Sequence, residues 1–141
     1  REYGFEICTH VILNLPQDDL YDAIETAKIL SALHISTVKV HSLYIAKNTR
    51  LCEDYENGTI SICSKEEYFQ MVSEFLQYLD PGIAVERLFS RIPQEDGVFC
   101  NWGTSWWKLR DELLAHLEAQ DSYQGKQYHY LYGAALPASY D

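Results

Sequence analysis

Two short segments of the chain alternate between apolar and polar residues, the pattern of β-strands that have one face in a hydrophobic core. They cover Ile7–Leu15 and Thr37–Ile45. Their aliphatic faces suit a covering layer of helices: Val11, Leu13 and Leu15, then Val38 and Val40. Their other faces carry mostly polar residues, with Ile12 between His10 and Asn14 on the first and with Lys39 and His41 on the second. Such faces line an α/β barrel or an open ligand-binding sheet. The alternative is an ordinary buried strand in which a hydrogen bond holds the histidine.

Helical periodicity between these segments predicts a helix from about Leu20 to His34, after a turn at Pro16–Asp19. A strand, a helix of this length and a second strand make a parallel pair with a right-handed crossover. We therefore expect the two strands to be adjacent and parallel, with His10 and His41 on one sheet face. The polar stretch after the second strand, 47–61, is predicted to be a surface loop.

The second half of the chain repeats the alternation of helix and strand. Ser64 and Glu67 form a capping box that opens a helix ending before Asp80-Pro81-Gly82. A third strand is predicted over Ile83–Phe89, where irregular alternation leaves open whether Glu86 or Arg87 points inward. A last helix, Ser105–Gln120, places its apolar stripe on Leu109, Leu113, Leu114 and Leu117.

The cluster of Trp102, Trp106 and Trp107 introduces that last helix. A stacking platform and a packing anchor are the two interpretations, and the position at the start of an amphipathic helix favours packing. The domain prediction is a partial β/α barrel over residues 1–100 and a C-terminal helix and tail over residues 101–141.

Several segments, in order, resemble one family, the radical SAM enzymes. His10–Asp18 is similar to their fifth-strand region, where a loose GxIxGxxE pattern lies against S-adenosylmethionine, and in one bacterial subgroup reads close to HVILGLPGE. That subgroup is related to the oxygen-independent coproporphyrinogen oxidases and to the Elongator catalytic subunit. The further matches run through most of the chain: Glu25-Thr26-Ala27-Lys28, Val38–Leu43, Tyr55–Gly58, Glu66-Glu67-Tyr68 and Gln124-Gly125-Lys126.

The resemblance implies an α/β fold, the C-terminal segment of an incomplete parallel β/α (TIM-like) barrel with a C-terminal helical extension. It implies a parent oxidoreductase that cleaves S-adenosylmethionine at a 4Fe-4S cluster. The residues it assigns to the adenosyl and methionyl side of the cofactor are His10, Asn14, His41 and Leu43. Arg87 matches an arginine of the subgroup, which implies a substrate-binding role through bidentate contact with an anion. An ion pair with a neighbouring acid is its structural alternative.

The cluster motif CxxxCxxC is not in this sequence. Its cysteines, at positions 8, 52, 63 and 100, are too far apart to supply the thiolates of one cluster loop. The chain also begins with Arg1 rather than Met. We therefore expect a C-terminal piece of a larger enzyme, with no catalytic residue, metal or cofactor of its own. Its expected partner is the missing N-terminal half, with a homodimer as a further possibility because a barrel strand would lose its neighbour. Docking of the tail at Tyr128–Tyr132 onto the uncovered sheet face is the other expected cover.

Charge and composition set the remaining expectations. The net charge of −10 argues against nucleic-acid binding by this segment. No long apolar run or signal-peptide pattern occurs, so neither a membrane span nor export is expected. Scattered cysteines favour the cytoplasm. A hydrolase or transferase lacks support because the sequence has neither a GxSxG elbow nor a P-loop. A non-enzymatic acidic interaction module remains the alternative function.

Overall fold

The computed structural model describes residues 7–16, 18–90 and 97–128 of the chain. The strands are β1 (Cys8–Ile12), β2 (Thr37–His41), β3 (Tyr44–Ala46), β4 (Ala84–Arg87) and β5 (Gly97–Cys100). The helices are α1 (Leu20–Ala32), α2 (Arg50–Glu56), α3 (Lys65–Tyr78) and α4 (Trp106–Ala119). The elements alternate between strand and helix over much of this length, as an α/β fold requires.

The principal sheet is parallel, with the strand order β1-β2-β4. In its first pair, His10 lies opposite Lys39 and Ile12 lies opposite His41. The prediction of adjacent parallel strands joined through a helix is confirmed. A second, two-stranded sheet pairs β3 with β5 in the antiparallel sense.

Helices α1 and α3 cover the aliphatic face of the parallel sheet. Val38 and Val40 are completely buried, and they share one hydrophobic core with Ala27 of α1 and Phe75 of α3. The α4 leucines at positions 109, 113 and 117 join this same core. Trp102 and Trp106 pack against its edge, which confirms packing as the role of these two tryptophans, whereas Trp107 is 48% exposed.

Two apolar positions differ from the predicted pattern. Leu15 is 45% exposed because β1 ends at Ile12, so the strand alternation no longer controls where its side chain lies. Leu114 is 51% exposed because it is next to Leu113, and the buried stripe of α4 follows the spacing of Leu109, Leu113 and Leu117.

The second predicted strand is too long, and the predicted loop after it contains a helix. The chain leaves the parallel sheet after His41 and enters the other sheet as β3. Residues 47–61 include α2, which Thr49 opens by accepting a hydrogen bond from the Cys52 amide at 3.1 Å. Cys52 is buried, and Leu51 and Tyr55 are partly buried against the same cluster, but these three residues in a seven-residue helix are too few to give a helical periodicity.

The capping box of α3 is present and gives a stability prediction. The Ser64 hydroxyl accepts from the Glu67 amide at 3.1 Å, and the Glu67 carboxylate accepts from the Ser64 amide at 2.9 Å. We expect Ser64→Ala to lower the unfolding free energy by about 1 kcal/mol. Ser105→Ala is the matched control, because Ser105 caps α4 without a side-chain bond and should change stability little. Urea unfolding measures both, and equal effects would contradict the capping role.

The segment after α4 returns to the C-terminal end of α3. Gly125 and Gln127 donate backbone hydrogen bonds to the carbonyls of Leu76 and Gln77, at 2.9 and 2.7 Å. The Gln124 side chain donates to the carbonyls of Asp80 and Ile83, at 2.9 and 2.7 Å. The motif Gln124-Gly125-Lys126, picked out by resemblance, therefore closes the end of a helix.

Candidate functional site

The face of the parallel sheet opposite the helices carries polar side chains and is open to solvent. Cys8, His10 and Ile12 of β1 are exposed, and Thr37, Lys39 and His41 of β2 are partly exposed. This is the face that the sequence predicts for a ligand. Along β2 it alternates with the buried Val38 and Val40, and along β1 it alternates with the partly buried Thr9 and Val11.

His10 and His41 form the centre of this face. Their rings stack with an interplanar angle of 8°, and His10 Nδ1 lies 3.0 Å from His41 Nε2. Such a bond needs one nitrogen with a proton and one without, so the pair is incompatible with two fully protonated rings. The prediction that both histidines share one sheet face is confirmed.

The environment of His41 favours its neutral form. Burial lowers the pKa of His41, and the positive charge of Arg87, then His10 and Lys39, lowers it further. A neutral imidazole can both donate and accept a hydrogen bond at neutral pH. This site can therefore recognise a polar group without a charge of its own at His41.

A pH dependence of stability follows from this lowered pKa. Because the unfolded chain binds the His41 proton more readily, His41 stabilises the fold above its ordinary pKa of about 6.5, and this contribution is lost as pH falls through the folded value. We expect the wild type to lose more unfolding free energy than His41→Gln between pH 8 and pH 5. Urea unfolding at fixed ionic strength tests this, and equal losses would contradict it.

The sequence leaves open whether Glu86 or Arg87 points inward. A β-bulge in β4 decides this in favour of Arg87, which is partly buried, whereas Glu86 is exposed. Val38 lies opposite Val85, but Lys39 lies opposite Arg87, so Glu86 is the additional residue. The Glu86 carboxylate lies 3.8 Å from Lys39 Nζ, with both side chains substantially exposed. Arg87 is partly buried and close enough to His41 to lower its pKa. The bulge thus explains the irregular alternation that the sequence shows here.

The structure places the other two predicted cofactor residues in the interior. Asn14 is 2% exposed, and its Oδ1 accepts a hydrogen bond from the Leu43 amide at 2.7 Å. Leu43 is 4% exposed, in a small apolar cluster with Ile45 and Cys52. His10 and His41 are therefore brought together on the open face, whereas Asn14 and Leu43 join the ends of β1 and β2 behind it.

A buried polar network lies directly after the end of β2. The Ser42 hydroxyl donates to Asn101 Oδ1 and accepts from the Ser90 amide at 2.9 Å. The Ser90 hydroxyl donates to the Ser42 carbonyl, and Asn101 Nδ2 donates to the Ser90 carbonyl at 2.7 Å. This network turns the chain out of the parallel sheet. Single serines and an asparagine far apart in sequence gave no signal of it.

A groove lies between the end of β4 and the start of α4. It has a volume of about 140 Å³, and Arg87, Trp106 and Arg110 are among its lining residues. Sequence reasoning missed Arg110. The spacing of Trp106 and Arg110 by four residues indicates a contact on a helix, but not that the contact borders a groove.

The cysteines do not form a metal site. Cys8 is exposed, Cys63 is partly buried, and Cys52 and Cys100 are buried. Burial raises the pKa of both Cys63 and Cys100, which disfavours the thiolate that iron requires. In the parts of the chain that the structure describes, no three His, Cys, Asp or Glu side chains are placed to hold a metal ion.

A parallel sheet with helices on one face and a polar, solvent-open opposite face define an α/β protein that presents polar side chains from its strands. Comparison with known families then identifies the chain more closely. Residues 35–119 match the family described as the Radical_SAM C-terminal domain, and the chain belongs to that family.

Two curated relatives match most of the chain. Over 126 residues the chain is 32% identical to the uncharacterized protein YtqA of Bacillus subtilis, covering 89% of this chain and 39% of that protein. It is 23% identical over 117 residues to the protein YhcC of Escherichia coli, covering 83% of this chain and 38% of that protein. The chain thus spans about two-fifths of the length of these relatives.

A solved structure shows the same fold. The structure of Elp3 from the archaeon Methanocaldococcus infernus, with an N-terminal deletion, matches with a TM-score of 0.70 and 15% sequence identity. The match covers 87% of this chain and 29% of that one. At this identity the likeness concerns the architecture alone. None of the helices in the described ranges is long and apolar enough to cross a bilayer.

Proposed function

We propose that this chain forms the C-terminal wall of a radical SAM barrel and that the open face of β1 and β2 meets S-adenosylmethionine. One observation carries the proposal: the parallel register of these strands puts His10 and His41 in contact on a solvent-open face. In parallel α/β sheets, side chains near the carboxyl ends of strands are the usual ligand groups. Family membership agrees with this assignment.

The side chains on this face suit the polar parts of that cofactor. Since His41 Nε2 contacts His10, neutral His41 has its Nδ1 left for one hydrogen bond with a nucleoside edge or ribose hydroxyl, and the His10 ring offers a stacking surface. Lys39 adds a positive charge beside them, although its Nζ also lies 3.8 Å from the Glu86 carboxylate and a ligand carboxylate would have to compete with that exposed pair. When bound to an iron–sulfur cluster, the cofactor supplies a radical able to abstract hydrogen from a substrate. The residues of this chain orient it.

The 4Fe-4S cluster does not fit this chain. Its ligands must be deprotonated thiolates from closely spaced cysteines, and the four thiols here lie on different elements. We propose that the remaining part of a longer protein carries the cluster and that this chain alone has no radical SAM activity. Anaerobic reconstitution with iron and sulfide should leave no stable cluster, and a stable cluster with turnover of the cofactor would overturn this proposal.

Imidazole resonances test the cofactor site directly. We expect S-adenosylmethionine to shift the NMR signals of His10 and His41 in a saturable way and to leave those of His34 and His116 unchanged. His34 follows α1 and His116 lies in α4, so both serve as internal controls. The affinity will be weak, because the cluster that anchors the methionyl group is absent. Equal shifts of these four of the five histidines, or no shift in any of them, would contradict the site.

The outer edge of β1 supports a partner proposal. Among the residues that the structure describes, β1 is an end strand of the three-stranded sheet, and Ile7 and Ile12 are about 40% exposed. An open edge of this kind pairs readily with another strand. We propose that the N-terminal part of the barrel covers it in the parent protein, in the cytoplasm, and that a second copy does so in isolation.

Self-association of the purified chain is the expected result of that open edge. The net charge of −10 opposes a dimer at low ionic strength, and salt screens this repulsion. Light scattering after size exclusion should therefore show a larger dimer fraction at high salt than at low salt. A strict monomer under both conditions would contradict the edge proposal.

The tail at Tyr128–Tyr132 is the other segment expected to cover the sheet face, and it falls mostly outside the described residues. Within the described part, the Tyr128 hydroxyl donates to Asp80 at 3.1 Å.

A further inference from the structure

We propose that the groove between β4 and α4 is an oxyanion site, in which Arg87 and Arg110 bind a carboxylate or phosphate group of the substrate. The inference deepens the proposed function, since it names the substrate chemistry beside the cofactor face. The groove is lined on one side by the end of β4 and the two residues after it, positions 85–89. On the other side it is lined by Trp106 and Arg110 of α4.

Arg87 provides an unused donor. Its Nε is buried and has no hydrogen-bond partner among the residues that the structure describes. Arg87 also takes part in none of the ion pairs formed between described residues. A buried guanidinium donor is costly unless it is paired, and a planar oxyanion can engage Nε and a terminal nitrogen together once the side chain turns Nε toward the groove. The unpaired donor thus favours anion binding over the structural ion pair.

Arg110 brings a second guanidinium to the same groove. Its Cζ lies 5.6 Å from the centre of the Trp106 ring, which holds the side chain along the first turns of α4. Its contact with Asp111, at 3.3 Å, joins two exposed side chains and uses one of five donors. Arg110 therefore keeps donors for a ligand.

The local charge differs from that of the whole chain. The structure describes three arginines, Arg50, Arg87 and Arg110, and two of them line this groove although the chain has a net charge of −10. The acidic residue of the lining, Glu86, pairs with Lys39 on the sheet face. Because the bulge takes Glu86 out of the regular register and Glu86 pairs with Lys39, Arg87 and Arg110 give the groove a positively charged side.

The size of the groove limits the ligand. A volume of about 140 Å³ holds a few water-sized groups, enough for a carboxylate or a phosphate but not for a nucleotide. Because Arg87 also lies close enough to His41 to influence its charge, the groove begins where the proposed cofactor face ends. An anion held here would place the rest of a substrate beside that face.

Side-chain NMR of the complete chain tests the site with inorganic phosphate and, separately, with acetate. At constant ionic strength, balanced with sodium chloride, we expect one of these anions to shift the Nε–Hε signal of Arg87 in a saturable way, and the stronger of the two identifies the preferred headgroup. The Arg50 signal should stay in place, because Arg50 lies on α2 with an 86% exposed side chain. No saturable shift with either anion, or an equal shift at Arg50, would overturn the proposal.

Substitutions separate recognition from charge alone. Arg87→Lys keeps the charge but removes the Nε donor, so the affinity measured from backbone amide shifts should fall about tenfold. Arg110→Gln should weaken binding similarly, and Arg50→Gln should leave it unchanged. Unaltered affinity in Arg87→Lys would contradict a site built on the buried donor. Phosphate or acetate binding does not require S-adenosylmethionine, so a failure of the cofactor proposal would be seen separately, at His10 and His41.

Discussion

Asn101→Ala is expected to lower the unfolding free energy by about 3–5 kcal/mol, because it removes the centre of the buried network after β2. The Asn101 side chain is 2% exposed, accepts from the Ser42 hydroxyl and donates to the Ser90 carbonyl. Alanine leaves both partners unsatisfied in the interior. Asn101 also has a left-handed backbone conformation, with φ at 49°, which asparagine tolerates better than alanine.

Two further variants separate the cost of the lost hydrogen bonds from the cost of the left-handed backbone. Asn48 has a similar φ of 61° but is exposed, so Asn48→Ala should cost only about 1 kcal/mol, the backbone part of the effect. Asn101→Gly relieves the backbone strain but loses the same hydrogen bonds, so it should remain strongly destabilised. Denaturant unfolding compares the three, and a cost in Asn101→Ala no larger than in Asn48→Ala would show that the network contributes little.

Gly125→Ala is the second substitution with a large expected effect, about 2–4 kcal/mol of lost unfolding free energy. Gly125 has a φ of 86°, and a β-carbon built on it would lie 2.9 Å from Cγ and Cδ of Pro81. The proline ring cannot rotate away, so the tail itself must move. That movement would break the bond from the Gly125 amide to the Leu76 carbonyl.

Gly58→Ala is the matched control for this substitution. Gly58 has a φ of 77°, and nothing lies within 4 Å of a β-carbon placed there. It should therefore show the backbone cost alone, about 1 kcal/mol. Thermal and urea unfolding of both variants measure the difference. Equal destabilisation would mean that the contact with Pro81 does not hold the tail in place.

The sequence predicts this fold best where the pattern is local. The capping box at Ser64 and the buried alternation around Val38 and Val40 depend on neighbouring residues, and both are present. The end of β2 was missed because it depends on Ser42 meeting Ser90 and Asn101, which are 48 and 59 positions away. No spacing rule along the chain describes such a contact.

The candidate site likewise contains residues that the local pattern predicts and residues whose positions depend on distant contacts. Alternation alone places His10 and His41 together, since the two strands are parallel and in register. It also assigns Asn14 and Leu43 to the ligand face, but β1 and β2 end before them and both are buried. The position of Arg87 depends on a bulge, and that of Arg110 on how α4 packs beside β4. Neither is encoded in a repeating pattern.

The tail that closes α3 also affects how the chain folds during its synthesis. The carbonyl of Gln77 receives its hydrogen bond from the amide of Gln127, which is 50 residues further on, since 127 − 77 = 50. At about 5–20 residues per second, a ribosome needs roughly 3–10 s to add that length. For that interval the Gln77 carbonyl lacks this partner, although the Leu79 amide already donates to the neighbouring Leu76 carbonyl at 3.1 Å. One of the last described residues to be made therefore completes the hydrogen bonding of α3, the helix that carries much of the core. A nascent chain interrupted before Gly125 would leave the Gln77 carbonyl without this bond.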